Sequence, residues 1–342
     1  MSNDRGITVT PTIGKTFEYA FLEKLNLKSK TLLQCGFTEG LSPIMSSLLI
    51  SEARYEIKKS TENFFISVLD VQSAFDVVQH IILMDKALDQ NIHPTYWNIL
   101  TELYDGLSSK VKWMDGLSEP FKIKQGVRKG GILSTHLYKI FVQDLLVELE
   151  QNSLGYHLGD IYVGAPTCAD DIAFISNNEY ELQIMLNVID RYAKEHHCKI
   201  HPTKTEIIDC SKHKSSYNWT MGGKVVKTTD CSEHLGIKRT DGKEHNFNIK
   251  ERIQIARRTQ YALMGSGVHG TNGLNPAISY QIYKTYVIPR LTYGLEVLPL
   301  TKSNIEELEI FHRKNLRHLQ SLPEKNIKCR GPAITRSIAY RS

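Results

Sequence analysis

Residues 168–175 read Cys168-Ala169-Asp170-Asp171-Ile172-Ala173-Phe174-Ile175, two adjacent carboxylates inside an otherwise apolar segment. Buried charge is costly, so such a pair must be neutralised by a partner, bind metal, or sit at a turn that water can reach. Short apolar runs lie on either side, Ile161 to Val163 and Ile172 to Ile175. They predict two strands with the acids at the turn between them. Taken alone, an Asp-Asp pair is equally an ordinary polar turn.

A third acid lies upstream. Phe64 to Asp70 (FFISVLD) is apolar and ends on a carboxylate, so it reads as a buried strand with Asp70 at its tip. A strand end is a common place for a metal ligand. The run continues as Val71-Gln72-Ser73-Ala74-Phe75-Asp76, and a helix is expected from Ser73 to about Gln90. Asp76 then reads as an acid in a first helical turn, where it complements the macrodipole.

Further out, His93-Pro94 opens a helix to about Leu107. Lys110 to Met114 and Pro120 to Lys124 alternate around Asp115-Gly116 as a hairpin. Leu133 to Glu150 and Glu179 to Cys198 read as helices, and Thr205 to Asp209 as a strand. Met221-Gly222-Gly223 is a hairpin turn, and from about Ile249 the chain becomes helical and basic. Strands mixed with helices in this non-alternating order predict an α+β sheet with helices on one face. The helical third after about Asp241 is expected to form a separate subdomain.

Gln125-Gly126-Val127-Arg128-Lys129-Gly130-Gly131-Ile132-Leu133-Ser134 is a Gly- and cation-rich loop feeding a helix. Glycines permit close approach to a ligand and a helix N-terminus favours an anion. The spacing is not that of a P-loop, and a basic surface turn would look the same.

Composition narrows the classes. The 342 residues are 41% hydrophobic and 23% charged, enough apolar material for a core, so disorder is not the expectation. A net charge of +5, from 42 Lys+Arg against 37 Asp+Glu, permits a nucleic-acid partner without arguing for one. Six scattered cysteines with no C-x-x-C pair favour a reducing, intracellular compartment, with nucleus and cytoplasm both open. No stretch resembles a signal peptide or is long enough to span a bilayer, so no membrane partner is expected. Cys198 and His201 have ligand spacing, but no second cysteine pair lies near, and zinc is not expected. Three carboxylates on adjacent strands suit hard cations such as Mg²⁺, which bind oxygen and leave positions for phosphates. Two such ions about 4 Å apart can stabilise both oxygens of a phosphoryl transfer.

In order, the chain carries LDVQSAFD (69–76), QGVRKGGILS (125–134), CADD (168–171), HPTKTE (201–206) and HLGI (234–237). This series resembles motifs A to E of reverse transcriptases, especially those of LINE-type (non-LTR) retrotransposons. Arg5-Gly6-Ile7-Thr8 resembles the family's RPIS fingers motif, and Gln34-Cys35-Gly36-Phe37 its QxGF segment. Tyr286 to Gly294 (YVIPRLTYG) resembles its thumb side. Nearly the whole chain is covered.

The resemblance implies a right-hand polymerase: a ferredoxin-like palm of antiparallel sheet backed by helices, with fingers and a helical thumb. Residues 1–240 would be fingers and palm, and 241–342 a thumb-like or connection region. It implies an RNA-directed DNA polymerase that adds dNTPs to a DNA primer on an RNA template, using two Mg²⁺ ions or Mn²⁺ in their place. Asp70 and Asp170 would be the principal metal ligands, with Asp171 beside them and the Val71 carbonyl completing one shell. Phe75 would exclude the ribose 2′-OH. Gln125, Gly126 and Arg5 would line the nucleotide and template pocket. Lys204 would give a proton to pyrophosphate, although it equally reads as a solvated lysine. His234, Leu235 and Gly236 would form the primer grip. Lys250, Arg252, Arg257 and Arg258 would track the nucleic-acid backbone, although a solvated helix face has the same pattern.

Several positions depart from the family. Cys168 replaces an aromatic, and Ser73 a frequent lysine. Lys129-Gly130-Gly131 and Ser134-Thr135 replace the QGSPLSP-like run, and Thr38 stands where an arginine often follows GF. No endonuclease region precedes Met1 and no zinc-knuckle pattern follows, so the polymerase module alone is expected. A catalytically impaired or domesticated copy that only binds nucleic acid is the main rival. A nucleotide cyclase on a similar palm is disfavoured by the QG segment and the long helical end.

Overall fold

A strand covered on both faces needs apolar side chains at nearly every position, and the runs ending at Asp70 and beginning after Asp171 meet that need. In the computed structural model both become central strands. The structure describes residues 7–60, 63–114, 116–269 and 272–319. Arg5, Gly6 and Cys329 lie outside the described residues.

The chain divides into two units, Met1–Leu235 and Gly236–Ser342. The first begins with α1 (Thr12–Leu25), α2 (Pro43–Ser60), β1 (Phe65–Leu69), β2 (Val71–Gln72), α3 (His80–Leu88) and α4 (Pro94–Tyr104). A hairpin region follows, β3 (Ser108–Ser109), β4 (Lys112–Trp113), β5 (Gly116–Leu117) and β6 (Phe121–Lys122), and then α5 (Ile132–Gln151). Next come β7 (His157–Leu158), β8 (Ile161–Tyr162), β9 (Thr167–Cys168), β10 (Asp171–Ser176), α6 (Glu179–Glu195), β11 (Lys199–Ile200) and β12 (Glu206–Asp209). The unit closes with β13 (Thr220–Met221), β14 (Lys224–Val225), β15 (Lys227–Thr228) and β16 (Cys231–His234).

The main sheet has the order β15-β12-β1-β10-β9. β1 pairs antiparallel with β10, Leu69 opposite Ile172, and with β12, Val68 opposite Glu206. Period-2 alternation sorts the side chains. Phe65, Leu69, Ile172, Phe174 and Ile207 join one core with Leu137, Phe141 and Leu145 of α5 and Leu182, Met185 and Ile189 of α6. Ile66, Ala173, Ile175 and Ile208 face the other way, onto Ile50, Ala53 and Ile57 of α2. Each fully buried Leu, Ile or Phe contributes roughly 1.5–3 kcal/mol. The α+β architecture is as expected, but the sheet is covered on both faces rather than one. The second cover, α2, buries a stripe in which Ser46, Ser47 and Ala53 sit among the larger residues, so its sequence periodicity is weak.

One helix starts later than expected: α3 begins at His80, not Ser73. Ser73 has φ +51°, which breaks a helix. The Phe75 and Val78 carbonyls, which helical residues would need, accept instead from the Val127 and Gly126 N–H groups at 2.8 and 2.7 Å. Asp76 is therefore not a helix acid. Its carboxylate pairs with Lys129 Nζ at 2.6 Å.

α6 shows how a local signal stabilises this unit. Asn178 Oδ1 accepts from the Tyr180 and Glu181 N–H groups at 2.9 and 3.3 Å, capping donors the helix leaves free. Asn178→Ala is expected to lower the unfolding free energy by about 1 kcal/mol, measured by urea denaturation.

The second unit contains β17 (Ile237–Thr240), α7 (Glu244–Met264), α8 (Pro276–Tyr286), α9 (Ile288–Thr292) and α10 (Lys302–Leu319). A buried ion pair, Arg239 to Glu244 at 3.1 Å, ties β17 to the start of α7. Tyr283 Oη and His312 Nδ1, both buried, lie 3.0 Å apart between α8 and α10. Among the described residues, no helix is long and apolar enough to cross a membrane.

Candidate active site

The register of β1 against β10 brings two acids together. With Leu69 opposite Ile172, Asp70 and Asp171 fall at the same end of neighbouring strands, and Asp170 sits in the β9–β10 turn. Asp70 and Asp170 are half-buried and Asp171 is exposed. Lys204 Nζ lies 3.5 Å from Asp70 Oδ2. Its segment is stitched to this strand end: β11 pairs with β2, Ile200 opposite Val71, and the His201 N–H donates to the Asp70 carbonyl at 3.0 Å. Buried groups beneath respond to the acids. Burial first, then Asp170, Cys198 and Asp171, pushes the Tyr138 hydroxyl well above the usual phenol range. Burial, then Asp171, Cys35 and Asp170, raises the Cys168 thiol to about 11, so it stays protonated at neutral pH.

The turn is held from a distance. Ala169 has φ +59°, unusual for a residue with a side chain. Gln34, 3% exposed, brackets it. Gln34 Oε1 accepts from the Ala169 N–H at 2.7 Å and the Gly36 N–H at 2.9 Å, and Nε2 donates to the Ala169 carbonyl at 3.1 Å. Backbone bonds flank this clamp, Cys35 N–H to Thr167 O at 2.8 Å and Thr167 N–H to Leu33 O at 3.0 Å. Gly36 has to be glycine, since a Cβ there would collide with the Ala169 nitrogen. In the sequence Gln34 stands out only as part of the Gln34-Cys35-Gly36-Phe37 motif. The available signal was a glutamine beside the apolar Leu32-Leu33 pair, which in a buried segment must find partners.

Phe75 lies between two rings. It stacks on Tyr138 at 4.5 Å between centroids and meets Phe37 edge-on at 6.1 Å. Gln125 is exposed, its Oε1 accepting from Gln79 Nε2 at 3.0 Å. Gly126 has φ +91°, and a Cβ there would stand 3.0 Å from the Asp76 carbonyl oxygen, so only glycine fits. The expected anion site at the start of α5 is filled by the protein itself. The Glu18 carboxylate accepts from the Ile132 and Leu133 N–H groups at 2.7 and 3.4 Å, with Arg128 3.9 Å away. That helix end is capped from α1 rather than open to a phosphate.

His234 is buried, whereas Leu235 and Gly236 form a turn with φ +52° and +73°. In the second unit, Lys250, Arg257 and Arg258 are exposed on α7. Arg252 is not, which corrects its reading as a backbone contact. Its guanidinium donates to the Gly236 carbonyl and lies 5.0 Å from the Tyr293 ring centre. It sits on the face of α7 that buries Ile249, Ile253 and Ala256, where helical periodicity turns it inward.

Among the described residues, no three His, Cys, Asp or Glu side chains form a ready-made metal cluster. The donor set nevertheless fits a hard divalent cation: carboxylate oxygens at adjoining backbone ends, within reach of solvent. A cationic group, the Lys204 ammonium, already stands beside Asp70.

The family model described as "Reverse transcriptase (RNA-dependent DNA polymerase)" matches residues 1–239. The chain is similar to the RNA-directed DNA polymerase from mobile element jockey of Drosophila melanogaster, 25% identical over 342 residues, covering 93% of this chain and 36% of that protein. It is also similar to the Pol polyprotein from type-1 retrotransposable element R2 of Nasonia vitripennis, 27% identical over 299 residues, covering 84% of this chain and 27% of that protein. The chain thus spans little more than a third of the first relative and about a quarter of the second. Among solved structures, apo telomerase from Candida tropicalis, truncated from its C-terminal domain, aligns with a TM-score of 0.46 at 14% identity, covering 66% of this chain and 43% of that one.

Proposed function

The chain belongs to the reverse transcriptase (RNA-dependent DNA polymerase) family, and we propose that it extends a DNA primer on an RNA template by two-metal phosphoryl transfer, as the polymerase module of a non-LTR retrotransposon protein. The observation that carries this reading is the convergence of Asp70, Asp170 and Asp171 at one end of the β1–β10 pair. Residues 1–240 act as fingers and palm and residues 241–342 as the thumb-like region. With dNTPs, an RNA template and a DNA primer as partners, the reaction runs inside the cell.

Asp70, Asp170 and Asp171, with the Val71 carbonyl, hold the metal, Mg²⁺ or Mn²⁺. Bound divalent cations supply Lewis-acid charge for the attacking and leaving oxygens. The remaining work of the chain is positioning and charge placement. Lys204, already beside Asp70, gives a proton to the leaving pyrophosphate. Gln125 and Gly126 line the nucleotide and template pocket, and Arg5 belongs to the same set. Phe75, held between Phe37 and Tyr138, presents a fixed ring against a 2′-hydroxyl. The Leu235–Gly236 turn after His234 offers backbone to the primer. Lys250, Arg257 and Arg258 contribute cations to the duplex backbone.

Primer extension by the full chain on an RNA template with Mg²⁺ tests the proposal. RNA binding without any extension would leave the binding-only reading. Phe75→Val removes the ring and is expected to lower the preference for dNTPs over rNTPs by about 10–200-fold in kcat/KM, read from single-nucleotide extension. An unchanged preference would remove Phe75 from the gate.

A further inference from the structure

Every described residue from Lys110 to Lys122 is exposed, on both faces of the hairpin. A two-stranded ribbon alone is marginal in water, and exposed Trp and Phe beyond the needs of folding signal a contact. Trp113 is 69% exposed and Phe121 48%. The pairings sort the side chains by face. Ser109 faces Phe121, and Trp113 faces Gly116. Between them, Val111 and Ser118 are bonded, the Ser118 N–H donating to the Val111 carbonyl and the Val111 N–H to Ser118 Oγ, both at 2.9 Å. Phe121, Val111 and Trp113 therefore share one face, with glycine opposite Trp113 leaving its ring uncovered. Lys110, Lys112 and Lys122 take the other face, with exposed Leu117 opposite Lys112, and Lys124 follows. The acids of the segment are Asp115 and Glu119, against these four lysines.

The root of the ribbon is as telling as its faces. The Ile123 N–H donates to the Leu107 carbonyl at 2.8 Å, and two residues later come Gln125 and Gly126. Val127 is bonded in turn to Phe75. The ribbon is thus continuous with the loop assigned above to nucleotide and template.

We propose that this ribbon is a docking surface for single-stranded RNA, with unpaired bases stacking on Trp113 and Phe121 and phosphates paired by Lys110, Lys112 and Lys122. It rests on the polymerase reading for the presence of RNA at the adjoining loop. Exposed rings with cations within reach bind single strands because every base has a π-face, and the long lysine stems of the opposite face reach round the free edges of a two-stranded ribbon to the phosphates. Bases inside a duplex are already stacked and leave nothing for the rings. Trp113 lies four positions beyond Ser109 of the Ser109–Phe121 pair, about 13 Å along the strand, enough for more than one base. A second copy of the chain would bring a like-charged lysine face to the same place.

Binding of oligo(U) RNA to the full chain tests this. Emission of Trp113, isolated as the difference between wild type and Trp113→Phe, is expected to be quenched by oligo(U). The double variant Trp113→Ala/Phe121→Ala is expected to bind oligo(U) about tenfold or more weakly. Lys110→Glu/Lys112→Glu is expected to weaken binding and flatten its salt dependence. Far-UV circular dichroism of each variant, expected to match wild type, separates loss of contact from loss of fold. Unchanged affinity in both double variants overturns the proposal, as does equal quenching by double-stranded RNA. Recruitment to anionic vesicles, or loss of a dimer in the aromatic variant, with oligo(U) affinity intact, overturns it in favour of a lipid or a second copy. Failure here is distinct from failure of the polymerase reading. Wild type that extends primers while the variants bind normally sinks only the ribbon. Wild type that quenches normally but never extends sinks only the polymerase.

Discussion

Asp170→Ala is expected to lower primer extension by about 10²–10³-fold or more while RNA binding is unchanged. The reason lies in the turn. Asp170 is half-buried between β9 and β10, beside two further carboxylates, at the end of a sheet whose interior carries only apolar side chains and serine on β1 and β10. Its charge contributes nothing to packing, so its removal is expected to leave the fold intact and, under the proposed function, to remove a metal ligand. Asp170→Asn keeps the shape and loses the charge, and is expected to fail almost as badly. Asp76→Asn is the contrasting control. That acid is held by Lys129 at 2.6 Å, outside the cluster, and its variant is expected to keep most of its extension. Wild-type extension rates for Asp170→Ala, measured in single turnover, would show that these acids are not the metal site.

The second large effect is expected at a residue that touches neither metal nor substrate. Gln34→Ala removes three hydrogen bonds and leaves the Ala169 N–H, the Ala169 carbonyl and the Gly36 N–H without their buried partner. Each such orphan costs about 1–3 kcal/mol, and the left-handed Ala169 is then free to relax. Moving Asp170 by about 1 Å is enough to cost about 10²-fold in rate. Gln34 is thus a positioning residue, and its signature is specific: a lower kcat, a higher Mg²⁺ concentration at half-maximal rate, and unchanged RNA affinity. Gln34→Glu keeps the acceptor for both N–H groups but cannot donate to the Ala169 carbonyl, so partial rescue is expected. A stability loss with a normal Mg²⁺ profile would reduce Gln34 to a structural role.

The sequence by itself determined what depends on neighbours along the chain. Apolar runs without alternation announce β1 and β10 because both faces of the sheet are covered. Helical spacing from Leu133 onward announces α5, and Met221-Gly222-Gly223 announces the β13–β14 turn. The acids at the strand ends were legible for the same reason, since a carboxylate closing an apolar strand is a local anomaly. Tertiary structure alone decided what joins distant residues. Gln34 reaches Ala169 across 135 positions, and Glu18 reaches Ile132 across 114, filling a helix end that looked open to phosphate. Strand-like bonds from Gly126 and Val127 delay α3, and the packing of α7 turns Arg252 inward away from the cations flanking it. Such pairings leave no period in the sequence, because a hydrogen bond between distant segments constrains two positions and nothing between them. The acids of the candidate site could be read from the chain; what holds them in place could not.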